Sequence, residues 1–134
     1  MTTGRCLCGE VEYEIEGPIS PIWLCHCSKC RRANGSAFHA SAICSPSQFR
    51  WIRGEDSIRE YADTPTYKVH FCGRCGSPVP SYLEQFGSVF LHVGGLDGDP
   101  ERRVTHHIFV GSKAPWFEIG DDNPQHDEHK PAEQ

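Results

Sequence analysis

Seven of the chain's eight cysteines fall into three tight groups: Cys6-Leu-Cys8, Cys25-His-Cys27-Ser-Lys-Cys30 and Cys72-Gly-Arg-Cys75. Only Cys44 stands alone. In 134 residues, one domain's worth of chain, this spacing constrains the fold more than any other feature. Grouped thiols are either disulfides or metal ligands, and the redox compartment separates the two. The start, Met1-Thr-Thr-Gly-Arg-Cys6, carries no apolar stretch of an export signal, so a reducing, cytoplasmic location is expected. There, clustered cysteines bind metal more often than they pair. Disulfides or buried free thiols stay open as the blander reading, although a Cys-x-Cys pair is too strained to bridge to itself easily.

The rest of the composition favours short strands. Leu occurs 5 times against 15 for Val and Ile together, and 13 glycines and 10 prolines break the chain often. The expected class is mainly β, in short strands and turns. Val11 to Glu16 alternates apolar residues with glutamates, as a strand with one wet face does. Further strands are expected at 36–44, 57–61, 67–71, 78–83 (an edge strand, given its prolines), 88–93 and 104–110. One helical turn is expected from Ser28 to Ala33, stopped by Asn34-Gly35. A single domain over residues 1–119 and a polar, loose tail over 120–134 complete the organisation. No apolar run approaches the ~18–20 residues of a membrane span, so no membrane partner is expected. A net charge of −5 argues against nucleic acid held by bulk electrostatics.

The three cysteine groups divide four and three. On a strand, residues i and i+2 share a face, so Cys6 and Cys8 are expected to aim both sulfurs at one point. Cys72 and Cys75 flank a two-residue knuckle whose small residues let backbone N–H groups turn toward sulfur. Four thiolates make the closed, structural kind of zinc site. Cys25, Cys27 and Cys30 supply three thiolates within six residues, with no fourth cysteine at a matching spacing. Three protein ligands and an open position are the layout of a catalytic zinc. Three thiolates leave Zn²⁺ with a net charge of −1: a weak Lewis acid, but one suited to binding another thiol. Closure of this site by His26 or a distant histidine is the alternative, and a redox thiol cluster is a third. Two zinc ions per chain are expected.

Cys44, in a strand pattern, reads as a buried small hydrophobe. His126 and His129 read as solvated tail residues. Arg31 and Arg32 follow the three-cysteine group directly; they are either a solvated pair or the holders of an anionic substrate.

Three stretches carry a family resemblance: Gly4-Arg-Cys-Leu-Cys-Gly-Glu-Val11, Cys25 through Gly35-Ser-Ala-Phe38, and Phe71-Cys-Gly-Arg-Cys-Gly-Ser77. With Val93-Gly-Gly-Leu-Asp97, His107-Ile-Phe-Val110 and Pro115-Trp116, the chain from about residue 4 to 117 resembles the glutathione-dependent formaldehyde-activating enzymes, a family that also includes centromere protein V. The resemblance implies a β-tent fold of small antiparallel sheets pinned by zinc. It implies a structural zinc on Cys6, Cys8, Cys72 and Cys75 and a catalytic zinc on Cys25, Cys27 and Cys30. The implied activity is a carbon–sulfur lyase that reversibly forms S-(hydroxymethyl)glutathione from formaldehyde and glutathione. The rival readings are a zinc-stapled interaction module without chemistry and a protein that processes other glutathione conjugates. The sequence leaves the physiological aldehyde and thiol, the proton-shuttling group and the oligomeric state unassigned.

Overall fold

Glycine, proline and β-branched residues leave short segments to pair, and the computed structural model, described over residues 1–131, is mainly β. Its strands are β1 (Thr2–Arg5), β2 (Glu12–Ile15), β3 (Ile22–Cys25), β4 (His39–Cys44), β5 (Phe49–Arg53), β6 (Ile58–Ala62), β7 (Lys68–Cys72), β8 (Ser81–Leu83), β9 (Ser88–His92) and β10 (Val104–Ile108). One α-helix, α1 (Ser28–Asn34), lies between β3 and β4. No helix among the described residues is long and apolar enough to cross a membrane. The chain divides into two compact units, residues 1–20 with 42–102 and residues 21–41 with 103 onward.

In the first unit, β1, β2 and β5 form an antiparallel sheet. The alternation of β2 is realised: Tyr13 and Ile15 are buried, while Glu12 and Glu14 stay half-exposed and pair with Arg53 and Arg50 of β5. The Tyr13 ring stacks on Phe49 at 5.6 Å and meets Trp51 edge-on at 6.0 Å. Gly4 lies against that ring; a Cβ there would fall 2.4 Å from it, so the position admits only glycine. β6 and β7 form a hairpin in register from Ile58 opposite Cys72 to Ala62 opposite Lys68, and β8 pairs with β9. A core of Cys6, Val11, Cys72 and Val79, packed against Trp51 and Ile58, sits under the first and third cysteine groups. Cys44 is buried, as expected, and burial pushes its thiol up to about 11.

In the second unit, β3 pairs antiparallel with the start of β4 and parallel with β10. The parallel pair adds one mixed edge to the expected small antiparallel sheets. It is open to β10 because a long stretch of chain separates it from β3, as parallel partners require. The tail also departs from expectation. The His107 N–H donates to Pro124 O at 2.9 Å and the His126 N–H to His107 O at 3.0 Å. The Phe109 N–H donates to Glu128 O at 2.9 Å. The segment after Gly120 is thus laid along β10 as an added edge, and His107 and Gln125 form a parallel bridge. Low apolar content reads as looseness, but backbone hydrogen bonds do not depend on apolar side chains. His129 is exposed, as expected, with its ring 4.7 Å from Phe109, whereas His126 is half-buried with its ring 6.1 Å from His106. The last three tail residues, 132–134, lie outside the described residues.

Candidate metal centres

The four-cysteine group is built from two turns. Cys6 and Cys8 lie not on a strand, as their spacing predicts, but in the turn that leaves β1. The Cys6 N–H donates to Val11 O at 3.0 Å and the Gly9 N–H to Cys6 O at 3.2 Å, with Gly9 in the left-handed region at φ +80°. A turn that closes on itself converges the two sulfurs as a strand face would, and it also aims the Val11 N–H at the Cys6 sulfur, 3.3 Å away. The second turn is the expected knuckle. The Gly76 N–H donates to Cys72 O at 2.8 Å, and the Arg74 N–H reaches the Cys72 sulfur at 3.4 Å. A Cβ on Gly73 would lie 2.8 Å from Ser57 O, which fixes a glycine at that corner.

The Sγ atoms of Cys6, Cys8, Cys72 and Cys75 all lie within 4.8 Å of one another. Cys6 to Cys8 is 3.7 Å and Cys8 to Cys72 is 3.9 Å. A tetrahedron with Zn–S bonds near 2.3 Å has S···S edges of about 3.8 Å. A disulfide needs about 2.05 Å. The spacing therefore fits a metal and not a bond between sulfurs.

Proton sharing fits the same reading. The Ser77 hydroxyl, followed by the Ser77 and Cys8 backbone N–H groups, draws the Cys75 thiol down to about 5. Cys8 is pushed up to about 11: a hydrogen bond from the Glu10 backbone favours its thiolate, but burial and the neighbouring Cys6, Cys75 and Cys72 outweigh it. Four crowded thiols cannot all ionise unaided, and a divalent cation is what would release their protons.

The three-cysteine group lies in the second unit, where β3 runs into α1. Cys25 ends β3, Cys27 is the N-cap of α1, and Cys30 is the one buried residue of the helix. The helix runs one residue past the expected Ala33, to Asn34, with Gly35 as a left-handed cap whose N–H donates to Arg31 O. The three sulfurs lie within 4.8 Å of one another, and among the described residues no fourth donor joins the group. The Cys30 N–H donates to the Cys27 sulfur at 3.3 Å. Hydrogen bonds from Cys25 and Cys30, aided by the Cys30 and Lys29 backbone, pull the Cys27 thiol down to about 2. The same contacts, with burial, push Cys25 far up. One thiolate held by two thiols is, again, a set that a cation would complete.

His26 does not close this tetrahedron. It is fully buried, and its Nε2 is 2.9 Å from His107 Nδ1. His107, also buried, places its own Nε2 at 3.1 and 3.0 Å from the two carboxylate oxygens of Asp121. Burial, then the neighbouring His107 and Lys113, lower His26 to about 4, so the ring is neutral. Sequence reasoning missed this chain. Its members lie 81 and 14 residues apart, and no spacing pattern links them. Arg31 and Arg32 fall in the last turn of α1: Arg32 is exposed, while Arg31 is half-buried with its Nε buried and without a hydrogen-bond partner among the described residues.

The model of the glutathione-dependent formaldehyde-activating enzyme family matches residues 1–112, and so spans all three cysteine groups. The chain belongs to this family. Among solved structures, the crystal structure of a Rhodobacter sphaeroides protein is similar at a TM-score of 0.61 and 28% identity, over 77% of this chain and 99% of that one. Within the matched stretch, the four-cysteine and three-cysteine sets each gather their sulfurs within 4.8 Å.

Proposed function

We propose that the protein is a zinc-dependent carbon–sulfur lyase of the formaldehyde-activating type, which reversibly joins glutathione or a similar thiol to formaldehyde or a related small aldehyde. The observation that carries this reading is the set of three converging sulfurs of Cys25, Cys27 and Cys30, with no fourth side-chain donor among the described residues. Cys25, Cys27 and Cys30 would hold the zinc, which would supply a sulfur-seeking Lewis acid able to lower the pKa of a substrate thiol. Cys6, Cys8, Cys72 and Cys75 hold a second, structural zinc in this reading.

In the reaction, a bond forms between the substrate sulfur and the aldehyde carbon. The carbonyl π electrons pass to oxygen, and the proton given up by the thiol ends there. Nothing is oxidised or reduced, so no further co-reactant is needed. The protein's contribution is mainly positional: holding thiol and aldehyde together replaces a bimolecular encounter. Glutathione carries two carboxylates and one ammonium. Arg31, with its unpartnered Nε, and Arg32 offer donors to those carboxylates against the chain's background of −5.

Calorimetric titration tests the reading. Glutathione should bind the zinc-loaded protein, and binding should fall at least tenfold in Cys25→Ser. S-Methylglutathione, a thioether with no proton to lose, should bind more weakly than glutathione. Equal affinity for the two would show that no metal holds the sulfur, and the lyase reading would fail even with both metal sites intact.

A further inference from the structure

The Asp121–His107–His26 chain ends at an unusual place. His26 lies in sequence between two of the three sulfur donors, Cys25 and Cys27, so whatever fixes its ring fixes the backbone that carries both. The ring is held at Nε2 and on its faces, while its buried Nδ1 has no hydrogen-bond partner among the described residues. Its Nε2 meets His107 at 2.9 Å, its backbone N–H donates to Ile108 O at 3.0 Å, and Phe38 and Phe117 pack at 5.8 and 6.2 Å. The outer end is fixed as well: Asp121 Oδ1 accepts the Asn123 N–H at 3.0 Å, while the Asp121 side chain remains 40% exposed.

The carboxylate orders the whole chain. It can only accept, so His107 donates to it from Nε2, and in the neutral ring Nδ1 is left as the acceptor. His26 must then donate from Nε2. One acceptor at the surface thus sets both buried tautomers and the orientation of both rings. Asp121 and Phe117 both lie beyond residues 1–112, the stretch that the family model matches.

We infer that Asp121, acting through His107 and His26, is a positioning residue of the three-cysteine site, holding the Cys25–Cys27 backbone in the conformation that gathers the three sulfurs. This rests on the reading that those cysteines hold a metal. Outer hydrogen-bond partners of metal sites are typically worth 10–100-fold in metal affinity.

The test compares zinc release to a chromophoric chelator from wild type, Asp121→Ala and Asp121→Asn. Cys25→Ser identifies the step that belongs to the three-cysteine site. Asp121→Ala should weaken that site 10–100-fold and leave the other within twofold. Asp121→Asn, which keeps an acceptor for His107, should recover most of the loss. Unchanged affinity in Asp121→Ala, equal weakening of both sites, or no recovery in Asp121→Asn would each overturn the inference while leaving the metal reading in place. A single zinc in the wild-type protein would sink the metal reading first, and the inference with it.

Discussion

The two cysteine sites use the same donor atom and the same device of backbone N–H groups aimed at sulfur, yet they differ in what they tie together. The four-cysteine site draws its thiols from turns separated by 64 residues at the Cys8 to Cys72 contact. The three-cysteine site draws all its thiols from six consecutive residues at the end of β3 and the start of α1. Chain-entropy arguments for a cross-link put the first closure at roughly 4 kcal/mol and the second at roughly 2 kcal/mol. The first site also sits on the core formed by Cys6, Val11, Cys72 and Val79. The second is supported by a polar chain of three side chains. A metal that joins distant segments stabilises the fold. A metal on one local loop stabilises little beyond that loop and is free to exchange its outer ligand, but it needs the loop held by other means.

The largest expected effect tests this division directly. Cys72→Ala removes a ligand from the long-range site and opens a void in its core. Structural zinc contributes on the order of 10 kcal/mol to the folding of small domains, so this variant should fail to fold or melt far below wild type. Cys27→Ala should lower the melting temperature by only a few degrees while abolishing the second metal. Thermal melts of equal depth for the two would erase the distinction between staple and tool.

Metal removal should be uneven in the same sense. The local site has one protein ligand fewer, and it should empty at least ten times faster when the protein is mixed with a chelator. Elemental analysis before mixing should find two zinc ions per chain. Release in one kinetic phase would break the comparison.

Thiol chemistry sharpens it once the local site has been emptied. Cys27 is pulled down to about 2 and Cys44 pushed up to about 11. At pH 6 to 8 the first is therefore already a thiolate and the second still a thiol. Alkylation of Cys27 should be nearly independent of pH across that range. Alkylation of Cys44 should be slow and rise about tenfold per pH unit. Peptide mapping of the labelled protein reads both.

Much of this was legible in the sequence, for physical reasons that also explain the gaps. Cysteine spacing is local, and it located both sulfur clusters. The alternation in β2 and the Asn34-Gly35 stop of α1 are equally local. β3 went unread because Ile22, Leu24 and Cys25 are all buried, which removes the alternation that marks a half-wet strand. β1 went unread because Gly4 looks like a turn residue until the Tyr13 ring is placed against it. β5, Phe49-Arg-Trp-Ile-Arg53, carries an alternation that a stricter count would have caught. The Asp121 chain could not have been read at all, since only the docking of residues 121–128 along β10 brings that carboxylate to His107.

The smallest expected effect concerns the helix cap. Gly35 holds φ 58° and ψ 40°, and its N–H closes the last turn of α1 onto Arg31 O. A Cβ added there meets nothing within 4 Å, so the cost of Gly35→Ala is the backbone strain alone. For an L-residue in the left-handed region that is about 1 kcal/mol, worth roughly 3 °C in a domain of this size. Because the helix that ends there carries Cys30, the strain should also reach the local site and speed its zinc release by up to about fivefold. The four-cysteine site should not respond. Asn tolerates the left-handed conformation better than Ala, so Gly35→Asn should recover part of both changes. If Gly35→Ala speeds release from the four-cysteine site by the same factor, the two sites are not energetically separate, and the division between a long-range staple and a locally held site fails at its finest test.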